Sequence, residues 1–198
     1  MRPYTKLGLA CGACLLGLVS SAAALTIVGT RGDDHIVGSR SNDRISALAG
    51  NDTVRALAGA DLVRAGEGND RVAGGPGRDR MSGGPGDDTQ KGGSGGDLIA
   101  AGLGADRSYG GPGNDSLWGL AKGDVTAPGV DSLDGGAGND LIHARDGEPD
   151  NILCGPGRDK ASLDEVDVIV DATPTNPNGS CEVVRRAPPN GTETEPTP

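Results

Sequence analysis

Aspartate returns every nine residues in this chain: Asp34, Asp43, Asp52, Asp61, Asp70, Asp79, Asp88, Asp97, Asp106, Asp115 and Asp124 keep the interval without a slip. Eleven hits at prescribed places lie far beyond chance, so the block is an array of one small unit whose fold must be built by stacking copies. Two residues before the Asp stands glycine, at Gly32, Gly50, Gly59, Gly68, Gly77, Gly86, Gly95, Gly104 and Gly113, with Ser41 and Lys122 as exceptions. Two residues after it stands a small apolar residue: Ile36, Ile45, Val54, Val63, Val72, Met81, Ile99 and Leu117; Gln90, Ser108 and Thr126 break the rule. The neighbours of that apolar place are mostly polar. A polar-apolar-polar triplet predicts a three-residue strand with one inward side chain.

The full unit reads Gly-Gly-x-Gly-x-Asp-x-apolar-x, clearest in residues 74–82, 83–91, 92–100 and 110–118. Its places are counted below from the first glycine. Copies beginning Ala47-Leu48 and Ala56-Leu57 lack the paired glycines, so differently shaped turns are expected there. The chain has 36 glycines and no Phe in 198 residues. Such a composition by itself suggests a flexible polymer, and the strict register sets that reading aside.

The first two dozen residues differ. Arg2 and Lys6 precede an apolar run from Leu7 to Val19, then Ser20-Ser21-Ala22-Ala23-Ala24, the outline of an export leader with cleavage expected after Ala24. The run is short for a membrane span, and Cys11 and Cys14 sit inside it rather than after it, which disfavours a lipid anchor. Loss of Arg2 and Lys6 takes the formal charge from −10 to −12. Nucleic acid and anionic membranes are poor partners for that charge, and cations are good ones. Cys154 and Cys181 are then the remaining cysteines, and in an exported chain they are expected to form one disulfide, worth about 3 kcal/mol in the chain-entropy picture.

The nonapeptide resembles the repeats-in-toxin (RTX) unit of the hemolysin-type calcium-binding family, in register over residues 29–124 and in degraded form to about 163. The resemblance implies an all-β parallel β-roll, a β-solenoid in which two nonapeptides make one coil and copies n and n+2 stack. It also implies Ca2+ ions between the stacked turns, held by paired Asp carboxylates and backbone carbonyls. One edge would pair Asp34, Asp52, Asp70, Asp88, Asp106 and Asp124 in succession; the other would pair Asp43, Asp61, Asp79, Asp97 and Asp115. Gly75, Gly77, Gly84, Gly86, Gly93, Gly95, Gly111 and Gly113 would shape the turns that aim carbonyls at the ions. Asp131, Asp140, Asp150 and Asp159 continue the series after a phase shift and a one-residue insertion. The sites near Asp43 and Asp124 are the weakest, because Ser41 and Lys122 replace glycine. Oxygen-only ligands suit calcium, which takes six to eight of them.

The inward ladders are thin: Ile36, Val54, Val72, Gln90 and Ser108 on one sheet, Ile45, Val63, Met81, Ile99 and Leu117 on the other. They cannot offset the entropy of ordering so many glycines, and stacked carboxylates repel, so a disordered metal-free chain that folds on binding calcium is expected.

Catalysis finds no constellation to use. His35 and His143 fall on separate strands, no serine sits in a nucleophile elbow, and the aspartates are accounted for by the repeat. Residues 131–135 suggest an EF-hand loop only superficially, lacking flanking helices and a closing Glu. Tyr109 and Trp118 end successive copies and should face outward on opposite sides.

The expected organisation is a leader (1–24), a regular roll (25–127), degenerate repeats (128–163), a capping strand with the disulfide (164–185) and a disordered tail (186–198). The expected function is that of a secreted, non-enzymatic calcium-binding protein, similar to small exported bacterial proteins made almost wholly of such repeats. The alternatives are a calcium-dependent adhesion or matrix module with a glycan or cell-surface partner, and an accessory module of a polysaccharide-modifying system.

Overall fold

The computed structural model describes residues 23–119, 129–173, 175–176 and 179–187. Among them seventeen strands run in chain order from β1 (Thr26–Val28) to β17 (Val183–Arg186), and no strand pairs with its sequence neighbour. The odd-numbered strands form a nine-stranded sheet and the even-numbered ones an eight-stranded sheet, with every pairing parallel. This is a β-solenoid with two nonapeptides per coil. Register partners stand two copies apart, as in Ile45↔Val63 and Val63↔Met81 on one sheet and Ile36↔Val54 and Val54↔Val72 on the other.

The apolar eighth place points inward throughout, so the two sheets face each other across the ladders the sequence predicts. A second lining joins them from the first place of the unit. Ala47, Ala56, Ala65, Ala144 and Cys154 are buried there, where most other copies carry glycine. Gln90 and Ser108 interrupt the apolar ladder at 0 % exposure. They satisfy each other: the Ser108 hydroxyl donates to Gln90 Oε1 at 3.2 Å, and Gln90 Nε2 donates across the lumen to the Ala100 carbonyl at 3.1 Å.

Three features differ from the sequence expectation. Many strands run for six residues instead of three, as in Arg71–Pro76 and Arg80–Pro85. The glycine pair that opens each turn still stacks on its equivalent one coil away, Gly75↔Gly93, and thereby extends the ladder. The turns at Ala47-Leu48 and Ala56-Leu57 keep the common shape: Leu48 and Leu57 take φ of 88° and 85°, the left-handed region their glycine counterparts occupy. Finally, Val166 to Val170 does not make a long covering strand. Val168–Ile169 is a two-residue rung paired with Asn151–Leu153, with Ile169 inside and Val166, Val168 and Val170 exposed, so the segment reads as one more degenerate copy.

The offset between stacked copies is 18 residues in the regular block, 25 across the segment that contains residues 120–128, then 19, 17 and 23 toward the C-terminus. Cys154 and Cys181 form a disulfide, Cα–Cα 5.2 Å, that fastens the last coils.

Candidate metal centres

Each repeat Asp ends a turn, immediately before a strand begins, and its side chain reaches back to the coil before it. Its Oδ1 accepts the backbone N–H of the preceding coil's Asp: Asp34 donates to Asp52, Asp43 to Asp61, Asp52 to Asp70, Asp61 to Asp79, Asp70 to Asp88, Asp79 to Asp97, Asp88 to Asp106 and Asp97 to Asp115, all at 2.7–2.8 Å. These are the successive pairs expected on the two edges, with one change at the end. Asp124 lies outside the described residues, and the partner of Asp106 is Asp131, which accepts its N–H at 2.9 Å. The series continues through Asp115 to Asp140, Asp131 to Asp150 and Asp140 to Asp159.

The other carboxylate oxygen is the chemically informative one. Oδ2 of Asp52, Asp61, Asp70, Asp79, Asp88, Asp97, Asp115, Asp140, Asp150 and Asp159 is buried and accepts no hydrogen bond. A buried anionic oxygen without a donor is costly, which marks these positions for a cation. Burial, reinforced by neighbouring carboxylate charge, raises the acids of the two columns: Asp70 and Asp140 to about 6, Asp79 and Asp115 to about 7, Asp88 to about 8, and Asp131 and Asp150 to about 9. Bound divalent charge would invert that preference.

Where glycine holds the first place, the space beside Oδ2 stays open. A side chain on Gly74 would meet Asp79 Oδ2 and the Gly92 carbonyl oxygen together. The same pairing of carboxylate and next-coil carbonyl recurs at Gly83 with Asp88 and Ala101, Gly92 with Asp97 and Gly110, Gly110 with Asp115 and Gly135, and Gly135 with Asp140 and Cys154. One carboxylate oxygen and one carbonyl oxygen from adjacent coils thus converge on a common opening. The second and fourth glycines of the clearest copies, Gly75, Gly77, Gly84, Gly86, Gly93, Gly95, Gly111 and Gly113, have φ between 103° and 155°. At Gly77 a Cβ would also collide with the Gly59 carbonyl of the coil before, so only glycine lets the turns stack this closely. Among the described residues no group of three or more His, Cys, Asp or Glu side chains forms a metal cage of its own. The donors on offer are hard oxygens from carboxylates and backbone, which fits calcium and does not fit zinc.

Several participants lie outside the sequence reading. Asp167 accepts the N–H of Asp150 and Glu182 that of Asp159, so the two carboxylate columns run on into the C-terminal segment. The Asp-x-apolar signature of Asp167-Val168-Ile169 is present in the sequence; Glu182 has no periodic signal. A further column forms at the fifth place, where Asp33 accepts from Asn51, Asn51 from Asn69, Asn69 from Asp87 and Asp87 from Ala105, at 2.7–3.0 Å. Tyr109 and Trp118 sit on opposite sheets as expected; Lys91 lies over the Tyr109 ring and Trp118 stacks on His143 at 3.8 Å.

A family model described as the RTX calcium-binding nonapeptide repeat matches four stretches, residues 26–54, 55–90, 82–117 and 126–148. No curated protein matches the chain. With those stretches covering more than half of its length, the chain belongs to the RTX calcium-binding nonapeptide repeat family.

Proposed function

We propose that this is an exported, non-enzymatic protein that binds several calcium ions between stacked turns and completes its fold by doing so. The observation that carries the reading is the column of buried, donor-free Oδ2 atoms, of which those of Asp79, Asp88, Asp97, Asp115 and Asp140 face a carbonyl of the next coil across a glycine. Asp79, Asp88, Asp97, Asp115 and Asp140 combine a donor-free Oδ2 with a first-place glycine and are the leading ion ligands, with the glycine turns supplying carbonyl oxygens. Export is supported by the leader-like first 24 residues and by the Cys154–Cys181 disulfide, which persists in oxidising compartments. The two histidines belong to opposite sheets, an arrangement that favours a binding role over catalysis. Extracellular calcium modules commonly bind at about 0.1–1 mM, and that range is expected here.

Titration of the oxidised chain with calcium by isothermal calorimetry, followed in parallel by circular dichroism, tests the proposal. Uptake of at least five ions with a gain of sheet signal is expected. Uptake of none or one, or an unchanged full sheet spectrum in excess chelator, would contradict it.

A further inference from the structure

The second place of the unit separates the first coil from the coils that follow it up to Gly111. From Leu48 through Leu57, Gly66, Gly75, Gly84, Gly93, Gly102 and Gly111, every second place has φ between 85° and 122°. Thr30 and Ser39, which hold that place in the first coil, are not in the left-handed region. Their backbone N–H groups instead donate to Oδ2 of their own turn's aspartate, Thr30 to Asp34 at 2.6 Å and Ser39 to Asp43. Their hydroxyls add a second bond, Thr30 Oγ1 to Asp34 Oδ2 at 3.0 Å and Ser39 Oγ to Asp43 Oδ1 at 2.9 Å. Asp43 Oδ1 also accepts the N–H of Leu25. Neither Asp34 nor Asp43 has a buried oxygen lacking a donor, in contrast to Asp52 and Asp61 one coil later.

At Asp52, Asp61, Asp70, Asp79, Asp88, Asp97 and Asp115 a left-handed second place goes with a donor-free Oδ2; Asp150 keeps its open Oδ2 with Arg145 outside that region, so it is the N–H and hydroxyl donors of Thr30 and Ser39 that close the carboxylates of the first coil. Leu48 and Leu57 hold the left-handed form at a cost of about 1–2 kcal/mol each for residues with a Cβ. In the first coil the turn relaxes, and donated protons stand on the face of the carboxylate that a cation would otherwise take. An ion at Asp34 or Asp43 would have to displace two or three charge-assisted hydrogen bonds.

Resting on the reading of the roll as a calcium binder, we infer that Thr30 and Ser39 replace the ion in the first coil. Asp34 and Asp43 hold no calcium, the ion array begins no earlier than Asp52 and Asp61, and residues 26–46 form a metal-independent cap.

Calcium calorimetry on full-chain variants tests this. Asp34→Asn and Asp43→Asn leave the number of bound ions unchanged, whereas Asp79→Asn lowers it by one. Thr30→Gly combined with Ser39→Gly lets both turns adopt the left-handed form and raises the number by two. Loss of an ion in Asp34→Asn or Asp43→Asn, or no gain in the double glycine variant, overturns the inference while leaving the proposed function intact. An unaltered chain that takes up no ion overturns the proposed function instead. In excess chelator the amides of Thr30 and Ser39 stay protected from hydrogen exchange, and exchange at the rate of an unfolded chain overturns the cap whatever the ion count.

Discussion

The coils before residue 74 and those from 74 to 118 share one backbone plan and hold it together differently. The early coils stack Ile36, Ile45, Val54, Val63 and Val72 on the eighth place and line the first place with the methyls of Ala47, Ala56 and Ala65. The middle coils offer Met81, Gln90, Ile99, Ser108 and Leu117, with glycine at 74, 83, 92 and 110 and a single buried methyl, Ala101, at the first place. Apolar burial is thus thinnest where most donor-free Oδ2 atoms sit beside a first-place glycine. A methyl at the first place adds to the lumen and narrows the opening beside Oδ2; a glycine does the reverse. Within one repeat, apolar packing and ion binding compete for the same few cubic ångströms. The C-terminal coils return to packing, with Leu133, Ile142, Ile152 and Leu163 inside and the disulfide closing a sequence separation of 27.

The comparison narrows the expectation of a wholly disordered metal-free chain. Dependence on calcium should concentrate in the middle, between an apolar N-terminal end and a cross-linked C-terminal one. Two sets of substitutions sharpen that contrast. The larger effect is expected from giving the middle an apolar core. Gln90→Leu with Ser108→Val removes both members of a satisfied polar pair and should stabilise the chelated protein by about 1–3 kcal/mol, read as a higher urea midpoint in chelator; Ser108→Ala alone, which strips Gln90 Oε1 of its donor, should destabilise by about 1 kcal/mol. A double variant no more stable than the original would show that the ladder is not what limits the middle coils. The smaller effect concerns the early coils. Leu48→Gly and Leu57→Gly relieve the left-handed strain against the extra chain entropy of glycine, for a net gain of about 0.5–1 kcal/mol each by thermal unfolding, and a loss of stability would mean that the half-exposed leucine side chains outweigh the strain.

Much of this architecture was legible in the sequence because periodicity is a direct record of stacking. The interval of nine gave the repeating unit and its inward apolar place, and the resemblance to the RTX repeat implied the two sheets and the successive Asp pairs through Asp115. What periodicity could not carry is what departs from it. Asp131 accepts the N–H of Asp106, because the chain between copies can lengthen without disturbing the stack and the sequence does not say which Asp resumes it. The Leu48 and Leu57 turns hold their shape because neighbouring coils impose it, overriding the residue's own preference. The six-residue strands arise because glycine pairs stack on glycine pairs, a contact that no single copy reveals. Glu182 and the Asp33–Asn51–Asn69–Asp87 column became visible only when coils were placed side by side.

The central claim is that ions supply in the middle coils the stability that apolar packing supplies at the ends. Residue-resolved amide hydrogen exchange, compared in saturating calcium and in excess chelator, measures this directly. With calcium, strand amides from Thr26 to Arg186 should be protected. In chelator, protection should collapse across residues 74–118 while strands at 35–37, 44–49 and 53–55, and those adjoining the disulfide, retain a substantial part of theirs. Protection that is equal along the chain in chelator, whether uniformly kept or uniformly lost, would contradict the account.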